Sequence, residues 1–447
     1  MNDCIAAIST TLGIGAISII RVSGKDSIEK VNKITNIDLT KKKSHTISYG
    51  YIKDKEEIID EVLISIMKGP KTFTTEDTVE INCHGGLATT DKVLELLLKQ
   101  NIRLAEPGEF TKRAFLNGRI DLTESQAVID LINAKNDKAR KIGINNLKGR
   151  TTKKIKELRE KLINIISNIE VNIDYPEYQD IEQITIKDIK KEINNIENDL
   201  TKIIENSQNS KLLKTGINVT IIGRPNVGKS SILNKLIEEE KAIVTNIPGT
   251  TRDIVEASLN LNGLTLNLID TAGIRETNDI VEQLGVKKSK KALEQADLVL
   301  LVLNNNEPLT KEDKELLEIS KNKKRIIIIN KKDLPTKLNI NEENIVYTST
   351  IKDHGIEELL SKITEIFKLE EIETNDFFYV SNIDQLTKIE NCKKSIEDIK
   401  KGLENNLPID MLEIDLKNIW QTLGEVIGET YTEELLDNLF QNFCVGK

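Results

Sequence analysis

Scarcity shapes the first reading of this 447-residue chain, which has four cysteines, three histidines, one tryptophan, eight prolines and only 4% aromatic residues. Cys4, Cys83, Cys392 and Cys444 lie far apart, without a CxxC pair, and only Cys83 has a histidine, His84, beside it. That spacing indicates neither a disulfide framework nor a zinc site and fits reduced thiols in the cytoplasm. An unbroken apolar run of about 18 residues, the length a membrane helix needs, is also missing, so no membrane span is expected. The apolar start from Ile5 to Ile20 follows Asp3 rather than a cation and is interrupted by Ser and Thr. It reads as two buried strands joined by a glycine turn, not as a signal peptide. Basic charge is in deficit too. With 63 Lys and Arg against 72 Asp and Glu the net charge is −9, a poor general grip on nucleic acid, so any RNA contact should be local or shared with a partner.

What is present is a set of patterns long enough for about three domains. Residues 1–118 mix strand-like runs (Ala16 to Val22, Glu61 to Met67, Thr78 to Cys83) with a helix-like Asp91 to Lys99, an α+β region. Residues 119–214 turn helical: Ile155, Leu158, Leu162, Ile165 and Ile169 recur three and four apart, as do Ile186, Ile189, Ile193, Ile196, Leu200 and Ile203. Residues 215–370 alternate β-rich and helical runs, the rhythm of a doubly wound, mainly parallel sheet. From 371 to 447 the helical period returns through Ile389, Cys392, Ile396, Ile399 and Leu403 and then from Met411 to Phe443. The α/β domain is therefore read as an insertion in one helical domain, with two separate bundles as the alternative.

Within that α/β region, Val219 to Ile222 leads into Gly223-Arg224-Pro225-Asn226-Val227-Gly228-Lys229-Ser230, a GxxxxGKS phosphate loop. Its backbone N–H groups can cradle phosphates, Lys229 can reach the outer ones, and the Ser230 hydroxyl can ligate Mg²⁺. Asp270-Thr271-Ala272-Gly273 ends a second strand-like run and suits Mg²⁺ and γ-phosphate sensing. Asn330-Lys331-Lys332-Asp333 follows a third. A carboxylate at Asp333 accepts from the N1–H and 2-amino group of guanine, a donor pair that adenine lacks, so the nucleotide is GTP. Many GTPases carry a water-orienting Gln after the DxxG glycine; Ile274 stands there and cannot hydrogen-bond a water.

Asn226, Gly249-Thr250-Thr251-Arg252-Asp253, the Asp270 motif with Ile274, and the terminal Cys444-Val445-Gly446-Lys447 resemble the MnmE (TrmE) family of tRNA modification GTPases. The N-terminal blocks Ile19 to Gly24, Glu80 to Gly86, Pro107 to Phe110 and Ala114 to Arg119 match as well, so the likeness covers essentially the whole chain. It implies a K⁺-stimulated, Mg²⁺-dependent GTPase, with Ser230 and Thr251 on Mg²⁺ and with Asn226, Thr245, Ile247 and Thr250 around K⁺. Nucleotide contacts would come from Asn226, Val227, Gly228, Lys229, Ser230 and Ser231, from Thr245, Asn246, Ile247, Pro248, Gly249, Thr250 and Thr251, and from Asp270, Thr271, Ala272 and Gly273. Asn330, Lys331, Asp333, Ser349 and Thr350 complete them.

Glu282 matches the glutamate that orients water, filling the gap left by Ile274. The N-terminal domain resembles a tetrahydrofolate-binding and dimerisation domain in which Arg21, Glu80, Arg119 and Lys447 would hold a formyl- or methylene-tetrahydrofolate. Cys444 is a candidate nucleophile, with a buried inert thiol as the ordinary alternative. The resemblance further implies a homodimer and an FAD-dependent partner, MnmG in this family, which carries the FAD in a heterotetramer. The product would be an aminomethyl-type (carboxymethylaminomethyl) group at C5 of the wobble uridine, position 34, of certain tRNAs. Leu12, Ala16, Gln126 and Ser349-Thr350-Ile351 depart from the family pattern. The competing reading is a ribosome-assembly GTPase acting as an RNA-binding switch.

Overall fold

Period-two burial builds the first sheet. In the computed structural model, which describes residues 3–174, 186–239, 255–261, 264–269, 293–352, 354–367, 377–405, 407–441, 443 and 446, strand β2 (Ile17–Ser23) buries Ser18, Ile20 and Val22 and turns Ile17, Ile19 and Arg21 the other way. The chain divides into two compact units. The first comprises Met1–Ile129, Thr152–Ile189 and Asp398–Lys447. Its sheet runs β3 (Thr46–Asp54), β4 (Glu57–Met67), β5 (Thr78–His84), β2, β1 (Ile5–Ile8), β6 (Arg103–Leu104). Every pairing is antiparallel except β1 with β6. One face buries Val22, Ile64, Ile81 and Cys83 with Ile28 and Val31 of helix α1 (Ser27–Asn32) and Val93 and Leu97 of α2 (Leu87–Leu98). The opposite face sets Ile5 and Ala7 against Phe110 of α3 (Glu109–Leu116). The expected α+β organisation is present, and β3 is an addition to it.

A buried ion cluster closes this unit. Arg113 is 1% exposed, and its Nη2 donates to Asp3 Oδ1 (2.8 Å) and Glu109 Oε1 (3.0 Å) while Nη1 reaches Glu76 (3.2 Å). Arg103 Nη2 binds the same two carboxylates, Asp3 and Glu109. Burial alone would raise the Glu109 carboxyl, but hydrogen bonds from Arg103, the Glu106 N–H and Arg113 outweigh it and hold it below its ordinary 4.5. A carboxyl so depressed stabilises the fold fully above the unfolded value and less as pH falls through the folded one. Acid titration should therefore destabilise this unit from about pH 4 downward. Its fluorescence reporter is at hand, because Trp420 is the single tryptophan of the chain; an emission signal unmoved down to pH 2 would contradict the prediction.

Helix α6 (Arg150–Asp174) buries Ile155, Leu158, Leu162, Ile165 and Ile169, the expected stripe. Facing it within this unit, α12 (Ile409–Ile427) buries Leu412, Leu416, Ile419, Leu423 and Val426. Arg159 stacks 4.2 Å from the Trp420 ring and donates to the Trp420 carbonyl at 3.0 Å. The amphipathic tail docks as its pattern requires: Leu436, Leu439 and Phe440 of α13 (Glu433–Phe440) and Phe443 pack with Phe115 and Leu122. Gly108, in the left-handed region at φ 68°, permits this, since a Cβ there would lie 2.7 Å from the Phe440 carbonyl.

The second unit, Asp130–Thr151 with Lys190–Glu397, is built on a sheet ordered β12 (Ile345–Tyr347), β11 (Arg325–Asn330), β10 (Leu298–Asn304), β7 (Ile217–Ile222), β9 (Leu264–Ile269), β8 (Val255–Leu261). All pairs are parallel except β8 with β9. Every residue of β10 is buried, as a strand covered on both faces demands. On one face lie Leu233 and Leu236 of α8 (Lys229–Glu239) and Leu359 and Ile363 of α10 (Ile356–Ile366). On the other lie Leu316 and Leu317 of α9 (Lys311–Ile319). Of α7 (Ile186–Thr215), this unit holds the buried stripe Ile193, Ile196, Leu200 and Ile203; α11 (Ile383–Glu404) adds Ile389, Cys392 and Ile396. Asp130, at the end of α4 (Leu122–Ile132), is buried and accepts from Tyr379 Oη (3.0 Å), Lys214 Nζ (2.6 Å) and Ser381 Oγ. No helix among the described residues is long and apolar enough to cross a membrane.

Candidate functional site

In an open parallel sheet the loops beyond the carboxyl ends of the strands form the binding crevice, and the phosphate loop sits there, between β7 and α8. Its conformation depends on three residues in the left-handed region or beside it: Gly223 at φ 154°, Asn226 at 63° and Gly228 at 100°. The glycines also admit close neighbours, for a Cβ on Gly223 would lie 2.5 Å from the Val302 carbonyl and one on Gly228 2.1 Å from Asn330 Nδ2. Asparagine is among the few non-glycine residues that take up positive φ readily. The Asn226 side chain is exposed and makes no hydrogen bond among the described residues.

Lys229 opens α8 and donates to the carbonyls of Gly223 (2.8 Å) and Arg224 (2.7 Å). Burial pushes its ammonium below the usual lysine value. Ser230 and Ser231 follow on the exposed first turn, where backbone N–H groups lack intrahelical acceptors and favour anions. Arg224 clamps the front of the loop through Asp313 Oδ1 and Glu307 Oε2, both at 2.9 Å. Asp313 is itself fixed in a capping box with Thr310 at the start of α9.

From β11 the second motif braces the first. Asn330 Nδ2 donates to the Val227 carbonyl (2.9 Å) and its Oδ1 accepts from Thr348 (3.2 Å), while Lys331 Nζ donates to the Asn226 carbonyl (2.9 Å). Asp333 accepts from Ser349 Oγ at 2.6 Å, a bond that lowers its pKa. Thr350 lies in the adjoining turn, held by the Ser349–His354 bridge. The structure thus gathers Asn226 to Ser231, Asn330, Lys331, Asp333, Ser349 and Thr350 beyond the carboxyl ends of the parallel strands. Arg224, Asn304, which donates to Glu307 at 2.7 Å, and Thr348 belong to the same network. Sequence reasoning read Arg224 only as a variable position of the loop and passed over Asn304 and Thr348, because nothing in their spacing marks them.

The first unit carries a second assembly. Arg21 and Glu80 are cross-strand partners on β2 and β5, so they share one face and meet there, Nε and Nη2 of Arg21 reaching Glu80 Oε1 at 2.9 and 2.8 Å. The Arg21 guanidinium lies 5.9 Å from the Phe73 ring and 5.7 Å from Phe110. Arg119 lies 4.8 Å from Phe73 and donates to its carbonyl at 2.8 Å. The chain end arrives as well: the Gly446 carbonyl accepts from Arg21 Nη1 and from Ser9 Oγ, both at 3.2 Å. His84 braces β5 against β4 by holding Asp60, which raises the pKa of the ring. Cys4, Cys83 and Cys392 are buried and form no disulfide among the described residues. Thr245, Asn246, Ile247, Pro248, Gly249, Thr250, Thr251, Asp270, Thr271, Ala272, Gly273, Glu282, Cys444 and Lys447 lie outside the described residues.

Comparison with known proteins matches residues 122–444 to the family model described as the MnmE helical domain and residues 4–119 to that of the GTP-binding protein TrmE N-terminus. The chain belongs to the MnmE (TrmE) family. Full-length relatives agree with that family. The chain is 52% identical over 455 aligned residues to the tRNA modification GTPase MnmE of Bacillus cytotoxicus, covering 100% of this chain and 99% of that protein. It is 50% identical to the tRNA modification GTPase MnmE of Bacillus mycoides, with the same coverage. Among solved structures, Aquifex aeolicus Era bound to GDP and AlF₄⁻ aligns with 34% of this MnmE-family chain and 56% of its own, at 30% identity and a TM-score of 0.26. The phosphate loop, its Asn330 brace and the mainly parallel sheet are those of a P-loop GTPase.

Proposed function

We propose that the chain hydrolyses GTP with K⁺ and Mg²⁺ and, together with an FAD-carrying partner protein and a folate one-carbon donor, installs an aminomethyl-type group at C5 of the tRNA wobble uridine. The observation that carries this reading is the coexistence in one chain of two assemblies, the braced phosphate loop and the Arg21–Glu80 face reached by the C-terminus. The proposed division is a folate-binding and dimerising domain over 1–118, helical segments over 119–214 and 371–447, and a GTPase domain over 215–370.

The residues fit the groups they would hold. At the phosphate loop, the Asn226 carboxamide is exposed, offering an oxygen to a monovalent cation, and Ser230 stands where a hydroxyl meets Mg²⁺. Bound cations would supply positive charge where it develops on the phosphoryl oxygens. At the other assembly, Arg21 engages Oε1 of Glu80, leaving Oε2 to receive an N–H of a pterin amidine edge, and Arg119 would meet folate oxygens. Thr251, Glu282, Cys444 and Lys447 are assigned by family likeness to magnesium, water orientation, one-carbon chemistry and folate.

Two measurements test this. Replacing K⁺ by Na⁺ at constant ionic strength should lower kcat for GTP hydrolysis roughly tenfold or more, an effect in the range expected for charge stabilisation in phosphoryl transfer; equal rates in the two salts would remove the cation from the proposal. Mass spectrometry of tRNA nucleosides from cells lacking the protein should show loss of the C5-substituted wobble uridine. Unchanged uridines with immature ribosomal subunits would favour ribosome assembly instead.

A further inference from the structure

Against a net charge of −9, residues 135–161 hold eleven lysines and arginines and three acids. Several solvated helix lysines elsewhere pair with acids one turn away, as in Lys99–Glu95, Lys362–Glu365, Lys401–Asp398 and Lys417–Glu413. In this stretch the eleven basic residues outnumber the three acids by eight. Asp137 is shared by Arg140 and Lys141, and Lys135, Lys148, Lys153 and Lys156 are exposed with no ion pair among the described residues.

The helices fix where these cations go. In the second unit, α5 (Asp137–Leu147) buries Ala139, Ile142, Gly143 and Asn146, which leaves Arg140, Lys141 and the flanking Lys135 and Lys148 toward solvent over roughly 16 Å of helix. In the first unit, α6 buries Ile155, Leu158 and Leu162, and Lys153 and Lys156, three apart, share its exposed side. Long flexible ammonium groups suit a phosphate backbone more than a specific base edge.

We propose that the exposed Lys135 and Lys148 flanking α5, and Lys153 and Lys156 of α6, hold the phosphate backbone of the tRNA substrate, each unit contributing its own contact. The proposal rests on the tRNA-modification reading above and names the chain's local grip on RNA. An acidic protein then binds a polyanion through one short segment, and the rest of its surface repels other nucleic acid.

The test uses the full-length protein and a labelled in vitro transcript of a tRNA with an unmodified wobble uridine. Lys135→Gln with Lys148→Gln, and Lys153→Gln with Lys156→Gln, are compared with a charge-matched control, Lys41→Gln with Lys401→Gln, whose lysines are paired and exposed. Each test pair should weaken tRNA binding several-fold, and all four substitutions together about tenfold or more. The slope of log K against log salt should flatten by roughly 0.7–0.9 per lost contact, with GTP hydrolysis unchanged and the control like the wild type. Unchanged affinity and slope, or no measurable tRNA binding by the wild-type chain, overturns the proposal. So does normal tRNA binding by a four-fold variant that no longer co-purifies with a partner protein, which would make this a protein-docking face. The modification reading fails separately, if the wild-type gene does not restore the C5-substituted uridine to cells lacking it.

Discussion

Lys229→Ala should reduce kcat/KM for GTP hydrolysis by about 10³-fold or more while leaving the fold in place. Removing one preorganised donor to a developing oxyanion ordinarily costs about 10²–10³ in rate. Lys229 does more than a neutral donor because it is a full charge, half-buried at the first residue of α8. Desolvation already disfavours the isolated ammonium, as the downward shift of its pKa reflects. Its bonds to the Gly223 and Arg224 carbonyls keep it within the loop, from which a triphosphate can recruit it. Phosphate release under saturating and limiting GTP, together with binding of a fluorescent GTP analogue, separates lost affinity from lost chemistry. A variant retaining more than a tenth of wild-type kcat/KM would show that the loop is not the hydrolytic cradle.

The second large effect is on stability. Arg113→Met removes the shared cation of the Asp3, Glu76 and Glu109 cluster and leaves carboxylates in a site where Glu109 is 4% exposed. Breaking a buried pair by deleting one partner typically costs about 3–5 kcal/mol, because a buried charge is left uncompensated. Urea unfolding followed by Trp420 emission should move to a clearly lower midpoint, and the acid transition should move to higher pH as the carboxyl loses the arginine that depresses it. If Arg103, which also binds Asp3 and Glu109, suffices alone, the midpoint will not move and the cluster is redundant. A double substitution of Glu109→Gln and Arg113→Met should recover part of the loss.

How legible a feature was in the sequence depended on how local its cause is. The helical stripes read correctly because burial repeats every three or four residues: Ile155 to Ile169 and Ile389 to Leu403 are buried throughout. Strand β3 escaped notice for the opposite reason. Its inward positions are Ser48, Gly50 and Ile52, whereas Ile47 and Tyr49 face outward, so its hydrophobic pattern is inverted at a sheet edge. Gly50 is small because a Cβ there would meet Ile37 at 2.6 Å, a contact made by a loop, which no strand periodicity records.

At the nucleotide loop, contiguous residues set backbone geometry. Gly223, Asn226 and Gly228 take conformations that their types favour, so a phosphate cradle followed from eight letters. At the Arg21–Glu80 face, 59 residues separate the partners, and only the strand register puts them opposite one another. Likewise Asn330 braces Val227 from 103 residues away, and Gly446 meets Arg21 across 425. The sequence by itself determined the local conformations: the turn that cradles phosphate, the amphipathic helices and the chemistry of each motif. Tertiary structure alone decided which of those pieces touch, because a long-range contact exists only once sheets choose their register and helices bury their apolar faces, a choice made by the whole chain at once.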